Sequence, residues 1–207
     1  MKSLLRSCFS FFFFLSLAAG PCAAVSTGTV EAGPASPATA QLVATLLEEG
    51  HYSHKPLTVE TSRELLKLYL RMYDPYRLFF LASDIGEFNG RFGPGLAQRV
   101  KYGDVTPAYF IFDRFMKRLE ERVGWTHELV RSTFTFTSDG TMLADRREAA
   151  WPADGAAARE LWRKRIEADL LQEKLGGAKP EDWAKEVKKN YDRLLDNYRE
   201  FDSGDVL

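Results

Sequence analysis

Ser62 with Lys67, and Ser53 with Lys55, are the pairs in this chain whose types suit hydrolysis by an oxygen nucleophile. In such a dyad a lysine held neutral by burial takes the proton of the attacking hydroxyl. Neither serine sits in a glycine-rich turn that would hold an oxyanion, so both pairs read as ordinary polar residues and no catalytic residue is assigned. His51 and His54, three apart, would join Glu48 at a metal if one helix ran through all three. Gly50, Ser53 and Pro56 speak against that helix, and His127 is the only other histidine, so no metal or cofactor is expected. Glu120-Glu121-Arg122 and Lys185-Glu186-x-Lys188-Lys189 mix signs at helical spacing, which is the pattern of a solvated face.

The remaining chemistry is that of contact. Tyr69, Tyr73, Tyr76, Phe79, Phe80, Phe110, Phe112 and Phe115 crowd one half of the chain. Aromatic residues at helical spacing read first as core, and otherwise as a groove for a partner or an extended peptide. Tyr76 and Phe110 lie off the main stripe and are the expected partner contacts. Val206 and Leu207 are two more, because an apolar pair ending in a carboxylate has the form that a PDZ groove binds. Arg77 is free either to brace Asp84 or to reach outward.

The elements that must position these residues begin after an export signal. Lys2 and Arg6 precede an apolar run over residues 9–19, followed by Gly20, Pro21 and small residues. That is the layout of a secretory signal peptide over residues 1–24, and the run is short of the roughly 20 apolar residues that cross a bilayer. No stable membrane span is therefore expected once it is removed. Pro21 disfavours lipid anchoring at Cys22. Both cysteines, Cys8 and Cys22, fall in this segment, so the remaining chain has neither a disulfide nor a thiolate metal site. Losing Lys2 and Arg6 takes the formal charge from −1 to −3, which gives no cationic surface for nucleic acid and points to protein partners.

Residues 25–38, rich in Ala, Gly, Pro and Thr, read as a flexible leader. From there the spacing predicts a mostly α fold, a single multi-helix domain over 39–207 with at most one short β-arm or hairpin near 133–143. The first helix, 39–49, places Leu42, Leu46 and Leu47 on one face, with Gly50 as its end. A second opens at Thr61, which has capping-box spacing to Glu64, and stops before Pro75. Ser83-Asp84 is the expected N-cap of a short third helix, and a helical turn covers 96–102. The clearest amphipathic stripe is Phe112, Phe115, Met116, Leu119 and Val123 in a helix over 107–130. Phe134 and Phe136 alternate with threonines before Ser138-Asp139-Gly140. Two further helices cover 156–175, with Leu161, Trp162, Ile166, Leu170 and Leu171 inward, and the stretch from Pro180 through Tyr198.

Three tracts, in order and at their separations, carry a resemblance. They are Asp74-Pro-x-Arg77-x-Phe79-Phe80-Leu81-x-Ser83-Asp84-Ile85; Trp151-Pro152 with Leu161-Trp162-Arg163-Lys164-Arg165-Ile166; and Tyr191 with Leu194-Leu195 before Asp202-Ser203-Gly204-Asp205-Val206-Leu207. Together they resemble the N-terminal helical domain of the tail-specific (carboxy-terminal processing) proteases. Gly204 departs from the acidic residue usual there, which puts the junction helix in doubt. The resemblance implies a periplasmic serine protease family that binds apolar C-terminal tails and cleaves them with a Ser nucleophile and a Lys base. It places both, and the PDZ module, beyond the stretch matched here. The chain is accordingly expected to be a non-catalytic scaffold or interaction domain, truncated or split from its protease domain, in the bacterial periplasm. Its expected partners are a protease domain or adaptor and unfolded or tail-bearing substrates. The alternative is a free-standing periplasmic binding module or modulator of proteolysis.

Overall fold

The computed structural model describes residues 29–50, 57–137 and 141–207. Among them the chain forms helices and no strand: α1 (Ser36–Thr45), α2 (Val59–Tyr73), α3 (Ala82–Phe92), α4 (Leu96–Lys101), α5 (Thr106–Leu129), α6 (Gly155–Leu175) and α7 (Pro180–Arg199). A π-helical turn, Leu46–Gly50, prolongs α1.

Capping decides where three of these helices start. Thr58, not Thr61, caps α2: its Oγ1 accepts from the backbone N–H of Thr61 at 3.3 Å. Thr61 and Glu64 thus fall inside the helix, because the Thr-x-x-Glu spacing alone does not distinguish a cap from a first turn. Likewise Leu81 is the cap residue of α3, and Asp84 is the third residue of the helix, accepting from the Leu81 N–H at 2.9 Å. At α6 the Asp154 carboxylate accepts from the Ala157 N–H at 2.8 Å. Pro107 and Pro180 occupy first turns, where a missing amide proton costs nothing.

The 24 residues of α5 span roughly 36 Å and run through both apolar cores. Around its first half pack α2 and α3 with α4 beside them, and the buried residues there include Leu66, Leu70, Tyr73, Phe80, Phe88, Ile111, Phe112, Phe115 and Leu119. Apart from Tyr76, the expected aromatic crowd is therefore core: Tyr73 lies 5.1 Å and Phe79 5.4 Å, ring to ring, from Phe115. Its second half joins α6 and α7 around Trp162, Ile166, Leu170 and Val187. Phe79 and Tyr191 touch both cores and hold them together.

Three expectations change. Leu42, Leu46 and Leu47 are half or more exposed, and α1 instead buries Ser36 and Ala44 toward α4, because small residues let the two helices approach closely. Leu161 and Leu171 are only partly buried, Trp162, Ile166 and Leu170 being the inward positions of α6. Residues 133–137 are irregular; Phe134 and Phe136 stack 6.3 Å apart and pack beside Trp183, and Phe136 takes a positive φ of 52°. Residues 138–140, the expected turn, lie outside the described residues, as do 1–28, which include the expected signal peptide and the start of the leader.

Candidate interaction site

The Asp-Pro-x-Arg-x-Phe-Phe-Leu tract between α2 and α3 is a loop pinned from both sides. Pro75 ends α2, and the chain then curls round the carboxylate of Asp74. Asp74 accepts from the backbone N–H groups of Leu78 at 2.7 Å, Phe79 at 3.2 Å and Phe80 at 3.0 Å, and from Trp151 Nε1 at 3.1 Å. Opposite, Arg122 donates to the carbonyls of Leu78 at 3.2 Å and Phe79 at 2.7 Å. Arg122 is wholly buried, not on the solvated face that its neighbours suggested. Its guanidinium lies 4.3 Å from the Trp125 ring, and burial brings its pKa down to about 10, which leaves it charged at neutral pH. Its Nη1 makes no hydrogen bond and stands 3.7 Å from Glu121.

Arg77 holds the loop at a positive φ of 54° and packs 4.4 Å over Trp151, bonding the Ala149 carbonyl and Glu148. It does not brace Asp84. Arg118 and Arg114, both on α5, do that. The tract is thus an internal joint, and its polar residues are used by the fold. Replacing Asp74 with alanine would leave four buried or half-buried donors without an acceptor and should cost about 2–4 kcal/mol. Asparagine should recover part of this, because its Oδ1 can replace the oxygen that takes Phe79, Phe80 and Trp151 while its NH2 faces the Leu78 N–H; urea unfolding of the two variants checks both.

Ser62 does not meet Lys67 as a dyad would require. Its hydroxyl is buried, donating to the Thr58 carbonyl and accepting from the Ala97 N–H, both at 3.0 Å, while Lys67 is exposed. It ties α2 to α4. Ser53, Lys55, His51 and His54 lie outside the described residues. Among the described residues no group of three metal-ligating side chains converges, and His127 bonds Asp192, which also takes Lys188.

The expected contact residues fall in three different places. Tyr76 stands half-exposed in the loop after α2, outside both cores. Phe110 is partly buried among Phe88, Phe92 and Arg91, so most of its surface is already used. Val206 is wholly buried in the first core, where its side chain completes the packing of this chain. Leu207 remains 44% exposed.

The last residues are held by tyrosines rather than by a helix. Tyr69 donates to the Val206 carbonyl at 2.7 Å, and Tyr109 donates to the Ser203 carbonyl at 2.8 Å. Burial and its contact with Tyr73 push the Tyr69 hydroxyl upward, so it stays a donor at any physiological pH. The turn itself closes through Asp202, which accepts from the N–H groups of Gly204 and Asp205, and through Asp205, which accepts from that of Asp202. A side chain at 204 would stand 3.2 Å from the Asp202 carboxylate, so Gly204 suits this turn, and no junction helix forms among these residues. Tyr69→Phe should cost about 1–2 kcal/mol, since it leaves a buried carbonyl unpaired, and should raise amide exchange at residues 204–207 above that in α5.

Beside this turn lies an apolar groove of about 440 Å³, walled by α1 and α2 and floored by α4 and the start of α5. Val43, Leu47, Leu65, Ala97, Ala108, Ile111 and Leu207 are among the residues that line it. Sequence reasoning passed over it. The sign was present in α2, where Thr61, Leu65, Leu68 and Met72 make a second stripe one position ahead of the buried Ser62, Leu66 and Tyr73.

With this geometry the comparisons with known proteins agree. A family model described as the tail-specific protease N-terminal domain matches residues 43–207. The chain belongs to that family. The tail-specific protease of Haemophilus influenzae is 27% identical over 163 residues, which are 79% of this chain and 24% of that protein. The chain thus spans about a quarter of the length of this curated relative. Among the described residues of this tail-specific protease N-terminal domain, no helix is long and apolar enough to cross a membrane.

Proposed function

We propose that this chain is the non-catalytic scaffold domain of a periplasmic tail-specific protease, and that it works by packing against the catalytic region of such an enzyme. The observation that carries this reading is the family match over 43–207 within a relative some four times longer. Two local features support it. The polar residues of the signature tract are bonded internally, as in a structural joint, and Ser62 is occupied by backbone bonds. What is left for function is surface, and one apolar part of it is the groove beside Leu207. Export rests on Lys2, Arg6 and the apolar run after them.

The test uses this chain, the region of the H. influenzae protease C-terminal to the matched stretch, and an unstructured reporter with an apolar C-terminus. This chain alone should leave the reporter intact. It should co-elute with the catalytic region and speed reporter cleavage. Cleavage by the chain alone would overturn the non-catalytic reading. Failure of wild-type chain and catalytic region to co-elute would favour a free-standing binding module.

A further inference from the structure

We infer that the α1/α2 groove is the seat of an apolar segment drawn from the part of a tail-specific protease that follows this domain. The inference rests on the scaffold reading above and says which surface performs it.

Three observations converge. First, the groove is apolar and open: Val43, Leu47 and Leu65 are 48%, 50% and 36% exposed, and along its described lining Asp104 is the one charged side chain. That carboxylate is already taken by Arg99 at 2.7 Å and the Thr106 N–H at 3.1 Å. Second, the wall from α2 continues past the groove as Leu68 and Met72, exposed at 56% and 62%. Thr61, Leu65, Leu68 and Met72 are spaced four, three and four, the seam with which one helix receives another or an extended apolar strip. Contiguous apolar surface of this kind marks a contact site.

Third, the position of the groove selects its occupant. Val206 is buried, the Tyr69 bond fixes its carbonyl, and the next residue, Leu207, already lies in the groove wall. A chain continuing past this position leaves from beside the groove. In the H. influenzae protein about three quarters of the length lies outside the matched stretch. The following residues therefore start within reach of a surface of matching chemistry, at an effective concentration no separate ligand attains. In a complex formed from separate chains, the same segment would dock without the tether.

The probes are overlapping fluorescein-labelled 20-residue peptides covering the H. influenzae protease C-terminal to the matched stretch, titrated against this chain by fluorescence anisotropy. At least one apolar peptide should bind, and Val43→Asp and Leu65→Asp should each weaken it by about tenfold or more, since a carboxylate in an apolar seat must be desolvated. Tyr102→Ser, exposed and outside the groove, should leave binding unchanged. All three positions are on the surface, and circular dichroism melting confirms folding. If no peptide binds, or binding ignores both aspartates, the inference fails. It fails equally if wild type is a dimer that Leu65→Asp dissociates, for then a second copy is the occupant. Repeating the co-elution with the variants separates the two claims: variants that still co-elute with the catalytic region sink the groove and leave the scaffold reading intact. A wild-type chain that does not co-elute sinks the scaffold reading.

Discussion

Asp84→Ala should destabilise the domain by about 2–4 kcal/mol, because it leaves two partly buried cations without their shared buried anion. Asp84 is 1% exposed and carries three loads at once. It accepts from the Leu81 N–H at the start of α3, takes Arg118 in a two-point bond at 2.8 and 3.0 Å, and bonds Arg114. Removing it frees two guanidinium groups on α5, and only Glu87 and Glu121 remain to hold them. Guanidinium denaturation would mask these charges, so urea is the denaturant to use.

The same residue sets a pH dependence. Burial pushes its carboxyl upward, but the bonds from Arg118, the Leu81 N–H and Arg114 outweigh that and hold it below the ordinary value of 3.8. The unfolded chain therefore takes up the proton before the folded one does. Its contribution is complete above the ordinary carboxylate range and is lost as the pH falls through the lowered folded value. Wild type and Asp84→Asn should differ most near neutrality and converge in acid. A constant difference down to pH 2 would show that Asp84 acts through shape alone.

Trp162→Ala should cost about 3–5 kcal/mol, a large share of the roughly 5–15 kcal/mol that holds a typical domain. The indole is 1% exposed, its Nε1 donates to Thr126 at 3.0 Å, and its ring meets Phe79 at 5.6 Å and Tyr191 at 5.2 Å. Phe79 and Tyr191 are the residues shared by the two cores, so the cavity would open at their seam. Amide exchange should rise in α6 and α7 far more than in α2. Trp162→Phe, which keeps a ring but loses the bond, should cost about half as much. Equal protection loss in α2 and α7 would mean that the two cores unfold as one unit.

How legible these features were in the sequence depended on their kind. The stripes of α5 and α7 were plain because one face is apolar and the other charged, and the structure buries Phe112, Phe115, Leu119, Val187 and Leu195. In α1 the apolar residues go most of the way round, so spacing could not say that Ala44 faces inward and Leu42, Leu46 and Leu47 outward. Arg122 was hidden for another reason. Its burial depends on the carbonyls of Leu78 and Phe79, 44 and 43 residues away, and no local pattern announces such a partner. Phe134 and Phe136 do face one way, as alternation implies, but a strand also needs a neighbour to bond, and the described residues supply none. The groove was missed because a second stripe on α2 looks like surplus core until α1 proves too far round to cover it.

The seating of Val206 also fixes a schedule. Its carbonyl is bonded to Tyr69, 137 residues earlier, and its side chain fills a core begun by α2. During synthesis, the first-made helices cannot finish packing until the last two residues of this stretch have emerged. Until then the apolar faces of α2 and α5 around that site are open to whatever holds unfolded chains. Contacts of such long sequence separation also form slowly. Commitment to the native state is thus deferred to the moment at which the following segment, wherever one exists, begins to appear.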